Sequence, residues 1–132
     1  MDAVTREFVR QRAGGRCEYC RLPQDAAPFF SFHVEHIRAR QHQGSDDASN
    51  LALACPDCNA KKGPNVATIS PDTGQLVELY NPRIHKWEQH FSMVGSEIVG
   101  TSNIGRATIT LLDMNEEERL IIRTHLQAEG LL

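Results

Sequence analysis

The sequence predicts an α+β fold. A small metal-stapled core of strand, loop, strand and helix is preceded by an N-terminal helix and followed by a C-terminal hairpin plus helices. Three observations predict it. All four cysteines fall into two C-x-x-C pairs, Cys17-Glu18-Tyr19-Cys20 and Cys55-Pro56-Asp57-Cys58, with none left over. Between the pairs, Phe29 to Ile37 is aromatic and β-branched like a strand, and Leu51-Ala52-Leu53-Ala54 reads as a short return strand. Pro56 takes a first-turn helix position and Gly63-Pro64 marks an end, so the second cysteine pair opens a helix.

A chain of 132 residues is the size of one ordinary domain. Its 40% hydrophobic and 6% aromatic content is lean for a core, and a structural metal would make up the difference. Two residues between cysteines make a metal-gripping turn, which favours zinc over disulfides and over free or redox-active thiols. A secreted disulfide scaffold fits poorly, because Met1 to Glu7 is charged and holds no apolar signal core. No apolar run approaches membrane-spanning length, so no membrane partner and a reducing cytoplasm are expected.

Residues 3–13 read as a helix with Val4, Phe8 and Val9 on an apolar stripe, the arginines facing away and Gly14-Gly15 as the stop. Those arginines read as a solvated face in preference to a DNA contact. In the following strand Phe30, Phe32, Val34 and His36 share one parity, and His33, Glu35 and Ile37 the other, so Glu35 and His36 converge only if the strand twists or ends there. Arg38 to Ser49 is a polar loop containing Gly44 and Asp46-Asp47. Asn59 and Lys62 share one face of the helix.

Downstream, Pro71 to Gly74 is a turn, Leu76 to Tyr80 a strand, and Phe91 to Thr101 a small hairpin about Gly95-Ser96. Asn103 to Leu112 fits a helix better than a strand. Asn115 and Glu118 form a capping box for a last helix, roughly 116–128, burying Leu120, Ile121 and Leu126. Trp87 and Phe91, four apart, read as core, and His42, His85 and His90 as surface or interface histidines.

The formal charge is -3, which is unpromising for a nucleic-acid binder. Residues 1–90 balance at 11 Lys/Arg and 11 Asp/Glu, while beyond residue 94 six acids face three bases. Arginines 6, 10, 12, 16 and 21 gather near the first cysteine pair, and local patches set phosphate affinity. Overall acidity predicts weak, salt-sensitive binding with little sequence preference.

The stretch Glu35-His36, Asn50, Cys55-x-x-Cys58-Asn59-x-x-Lys62-Gly63 resembles the HNH endonucleases, with their ββα-metal, treble-clef-like fold. The resemblance is specific over residues 17–63 and weaker through Asn81-Pro82-Arg83 and Trp87 to Phe91. It implies a single HNH endonuclease domain over 1–132, with its core at 17–63 and a C-terminal extension at 64–132. By the same resemblance Glu35 and Asn59 hold a divalent ion, His36 is the general base and Asn50 fixes the loop. The chemistry is sound independently. Oxygen ligands suit Mg²⁺ or Mn²⁺, and a neutral imidazole near pH 7 accepts a proton from water.

Cys17, Cys20, Cys55 and Cys58 are the expected structural zinc ligands. His33 is either a further metal ligand, a phosphate donor or an exposed histidine. Arg38, Arg40, Lys61 and Lys62 are the expected phosphate contacts on DNA, duplex by preference. Two departures stand out. The acid is Glu where Asp is usual, and Asn59 replaces the His-x-x-x-His of colicin-type nucleases, leaving two protein ligands and a loosely held ion. A catalytically inactive, zinc-stabilised nucleic-acid-binding or interaction module is the competing reading.

Overall fold

The computed structural model describes residues 1–132, which divide into two compact units, Met1–Asn65 and Val66–Leu132. The first unit opens with helix α1, Ala3–Arg12, capped by the Asp2 carboxylate accepting from the Thr5 N–H. Val9 alone of the expected apolar stripe is buried; Val4 and Phe8 are exposed. The reason is that α1 packs on a hairpin only four residues long. The arginines divide as well, since Arg12 reaches inward to the Leu51 carbonyl at 2.7 Å.

Strands β1, His33–His36, and β2, Leu51–Ala54, pair antiparallel, His33 opposite Ala54 and His36 opposite Leu51. The expected strand from Phe29 is shorter than its composition suggests, because β2 offers only four residues to pair with. Phe29 and Phe30 are exposed before it. All of β2 is buried, which explains its unbroken Leu-Ala-Leu-Ala pattern. Helix α2, Pro56–Lys62, follows directly, with Cys55 as its N-cap and Gly63 at its end.

In the second unit β3, Ala67–Ile69, pairs with β4, Leu76–Glu78, across the expected turn. Strands β5, Phe91–Val94, and β6, Glu97–Gly100, form the expected hairpin. Helix α3, Asn103–Leu112, packs on β3, β4 and β6, and α4 spans Glu117–Ala128. Trp87 and Phe91 are buried with ring centroids 5.2 Å apart. His42 is exposed, whereas His85 and His90 are half-buried, their rings tilted or edge-on against Tyr80 and edge-on to each other.

The last helix also departs from expectation. No Asn115 capping box forms: Glu116 caps α4, while the Asn115 amide bonds both the N–H and the carbonyl of Ile98. Ile121 is exposed, and the buried face consists of Arg119, Arg123 and Leu126. Both arginines donate to main-chain carbonyls: Arg119 to Leu112 at 2.7 Å, and Arg123 to Ser96 at 2.6 Å and Met114 at 2.7 Å. Orphan carbonyls at the end of a helix favour a cation, and a guanidinium has enough donors to serve several.

Candidate active site and metal centre

The two cysteine pairs converge. Cys17, Cys20, Cys55 and Cys58 are buried, with their sulfurs all within 4.8 Å of one another. Four thiolates about 2.3 Å from a zinc ion lie about 3.8 Å apart at the corners of a tetrahedron. The Cys20 and Cys55 sulfurs are 3.7 Å apart, so the donor set fits a structural zinc ion. The Cys20 and Cys58 amides point at the Cys17 and Cys55 sulfurs, at 3.5 and 3.4 Å, as they would toward metal-bound thiolates. Burial pushes the Cys17 thiol well above its ordinary range. A zinc ion reverses that preference by holding the thiolate.

The first cysteine turn is also sewn to β2. Glu18 donates its N–H to the Leu53 carbonyl at 2.8 Å and accepts the Leu53 N–H on its carboxylate at 2.8 Å. This joins the zinc cluster to the hairpin that carries Glu35 and His36. An open cleft of about 630 Å³ lies along that hairpin, lined by His33, Glu35, His36, Arg40, Asn59 and Arg6 among others. The structure thus brings the expected ion ligands and the expected base to one cavity.

Glu35 is nearly buried at 7% exposure. It accepts a hydrogen bond from the Tyr19 hydroxyl, and the Lys62 ammonium lies 3.1 Å from its other oxygen. Burial raises its carboxyl despite the opposing pull of Lys62 and Tyr19. Burial likewise pushes the Tyr19 phenol well up, keeping it a donor. Each carboxylate oxygen holds one such partner and keeps a lone pair in reserve.

Lys62 is expected beside Glu35-His36 and on a phosphate; it lies beside Glu35 but is enclosed. It is 2% exposed, and it also donates to the Ile37 carbonyl at 2.8 Å. A cation at the end of α2 reaches a buried acid and two strand-end carbonyls, and a lysine enclosed in this way has no access to DNA. Of the remaining expected contacts, Lys61 is exposed, and exposed Arg38 donates to the Gln43 carbonyl at 3.0 Å. Arg40 lines the cleft but grips Asp46. His33 is exposed at the cleft edge.

Asn50 ties both ends of the loop together. Its side chain accepts from the Arg38 N–H at 2.9 Å and donates to the Arg38 and Ser45 carbonyls at 3.0 and 2.8 Å. Within that loop a Cβ on Gly44 would fall 1.7 Å from the Arg38 carbonyl oxygen, so only glycine passes.

The loop also delivers Asp46, which in the sequence is only one of two acids in a polar turn. Asp46 holds His36 Nε2 at 2.7 Å, the Arg40 guanidinium at 3.0 and 3.1 Å, and the Met1 amino group at 3.4 Å. The hydrogen bond from His36, followed by that from Arg40, holds its carboxyl well below the usual carboxylate range. The other nitrogen of His36, Nδ1, has no hydrogen-bond partner. Only the acidic pair in a glycine-containing loop hinted at Asp46 beforehand.

No curated protein and no solved structure matches this chain. Residues 17–65 match the HNH endonuclease family, an interval that begins at the first zinc cysteine and ends just beyond α2. The α+β hairpin-and-helix core and the four-cysteine cluster lie within that interval, so residues 17–65 are similar to an HNH endonuclease domain in sequence and in the elements that build the site.

Proposed function

We propose that the chain is a metal-dependent DNA endonuclease whose chemistry takes place in the cleft beside β1, in a single functional domain with its core at 17–63. The observation that carries this reading is the lining of that cleft. Glu35, His36 and Asn59 meet there, from a strand and a helix both anchored to the four-cysteine cluster.

His36 is the general base. With Asp46 accepting at Nε2, the neutral ring keeps its proton on that nitrogen and leaves the unpartnered Nδ1 as the lone pair that takes a proton from water. Asp46 acts as a positioning residue, fixing ring orientation and tautomer together. Asn50 holds the loop that carries Asp46, and Gly44 lets that loop close.

The residues present also fit a hard divalent ion. Glu35 and Asn59 line one cavity, and Glu35 is oriented by Tyr19 and Lys62 through hydrogen bonds that leave lone pairs over. A bound Mg²⁺ or Mn²⁺ would supply charge stabilisation to the phosphate and the leaving oxygen. Attack in line would leave 5′-phosphate and 3′-hydroxyl ends.

The competing reading is an inactive binding module. Lys62 gives it some support, because an ammonium beside Glu35 already neutralises the acid an ion would need. Supercoiled plasmid with added Mg²⁺ or Mn²⁺ separates the two readings. The nuclease reading expects nicked and linear products with 5′-phosphate ends, lost in His36→Ala at a cost of about 10²–10⁴-fold. Binding of plasmid without any cutting, in a zinc-loaded preparation, would favour the inactive module.

A further inference from the structure

Two clefts run along the same side of the first unit and share Met1, Arg6, His33 and Val34. The first continues past His36 to Arg40 and Asn59. The second continues the other way, to Arg10 and Phe32. Together they make one groove that leads out of the candidate active site and along α1.

The arginines of this region fall into two kinds. Arg12 and Arg16 donate inward, to the Leu51 carbonyl at 2.7 Å and the Arg21 carbonyl at 3.3 Å. Arg6 and Arg10 are exposed and form no ion pair or hydrogen bond with their side chains. The acids on the same helix turn elsewhere: Asp2 caps the Thr5 N–H, and Glu7 accepts from Gln11. Four residues apart, Arg6 and Arg10 lie on one helix face and about 6 Å along its axis. A merely solvated face would turn away from the hairpin, whereas these two line the groove that His33 also lines.

We propose that Arg6 and Arg10 form a phosphate track with His33, seating the DNA backbone that flanks the bond to be cut. This rests on the nuclease reading for what lies at the groove's far end. The track supplies cations that buried Lys62 and Asp46-bound Arg40 do not offer. It also resolves the conflict between a net acidic chain and a polyanionic substrate, because the required charge is local.

The test is binding of a 30-base-pair DNA duplex, followed by fluorescence anisotropy without added divalent ion, between about 50 and 200 mM salt. Each phosphate contact contributes about 0.9 to the slope of log affinity against log salt. The Arg6→Gln/Arg10→Gln variant should therefore lose about two units of slope. Across that salt range its affinity should fall about tenfold less than that of wild type. Arg6→Lys/Arg10→Lys should restore most of the slope, since a point charge suffices to displace counterions. Zinc content, unchanged in both, verifies the fold.

An unchanged slope in the glutamine variant, or no duplex binding by wild type at the lowest salt, would overturn the track. The two proposals separate cleanly. A wild type that cuts plasmid while the glutamine variant keeps its slope leaves the nuclease and removes the track. A wild type that never cuts, but loses slope on Arg6→Gln/Arg10→Gln, leaves the track and removes the nuclease.

Discussion

The two units bury charge in opposite ways. Met1–Asn65 holds nine Lys/Arg and eight Asp/Glu, and it encloses a lysine against an acid, Lys62 on Glu35. Val66–Leu132 holds five Lys/Arg and nine Asp/Glu, and it encloses two arginines against main-chain carbonyls, with no buried acid. The apolar cores differ too. Four cysteines and the four residues of β2 make up much of the first, while Trp87, Phe91, Ile98, Leu112 and Met114 fill the second. The first unit thus stakes its fold on ions and reserves a carboxylate at a cleft; the second uses charge to cap a helix end and apolar area to hold itself up.

The largest expected effect follows from that contrast. Stripping zinc with a strong chelator, or Cys58→Ser, should unfold the first unit, because zinc binding is its folding energy. Trp87 is the only tryptophan and lies in the second unit, so its fluorescence should hardly change. Zinc-free protein with an intact first unit, seen as unchanged far-ultraviolet circular dichroism and melting temperature, would break the comparison.

The next effect concerns the buried cations. Arg123→Met should destabilise the second unit by about 3 kcal/mol, since it leaves carbonyls of Ser96 and Met114 without a donor. Lys62→Met should cost the first unit a similar amount, about 3 kcal/mol, by leaving Glu35 buried and unpaired. Urea titrations followed by Trp87 for the former, and by zinc release for the latter, check both. A Lys62→Met protein as stable as wild type would mean that the pair is not what holds α2 to β1.

The smallest effect is one of pH. Burial, helped by nearby His85, lowers the His90 pKa from its ordinary value near 6.5, while Glu78 pulls the other way. The folded second unit therefore favours the neutral ring. Its stability should be fully present above about pH 6.5 and fall as the pH drops through the lowered value. Trp87-monitored melts between pH 7.5 and 5 should show this slope, reduced in His90→Gln.

What the sequence disclosed was what depends on spacing. The paired C-x-x-C turns, the proline that starts α2, the glycine that ends it and the Gly95-Ser96 hairpin are local signals, and each stands where its chemistry placed it. Chain reversal between Glu35-His36 and Asn50 was legible for the same reason. Hidden were the features made by tertiary partners. Helix spacing places Lys62 beside Glu35, but its enclosure against that carboxylate shows only once α2 lies on β1. Asp46 looks like turn filler until Gly44 folds the loop back on His36. Asn115 looks like a cap until β6 claims its amide. Helix periodicity failed on α4 because arginines, not leucines, satisfied the buried carbonyls, and on α1 because the hairpin beneath it is too short to cover Val4 and Phe8.

In the proposed nuclease, Glu35 and His36, neighbours on one strand, do different work in one cleft. This division is tested most directly by the rate of plasmid cleavage against Mn²⁺ concentration for wild type, Glu35→Ala and His36→Ala, each zinc-loaded. Glu35→Ala should need more Mn²⁺ to reach half its maximal rate. His36→Ala keeps the wild-type midpoint and loses about 10²–10⁴-fold in the maximal rate. A His36→Ala protein that cuts as fast as wild type at every concentration would contradict it.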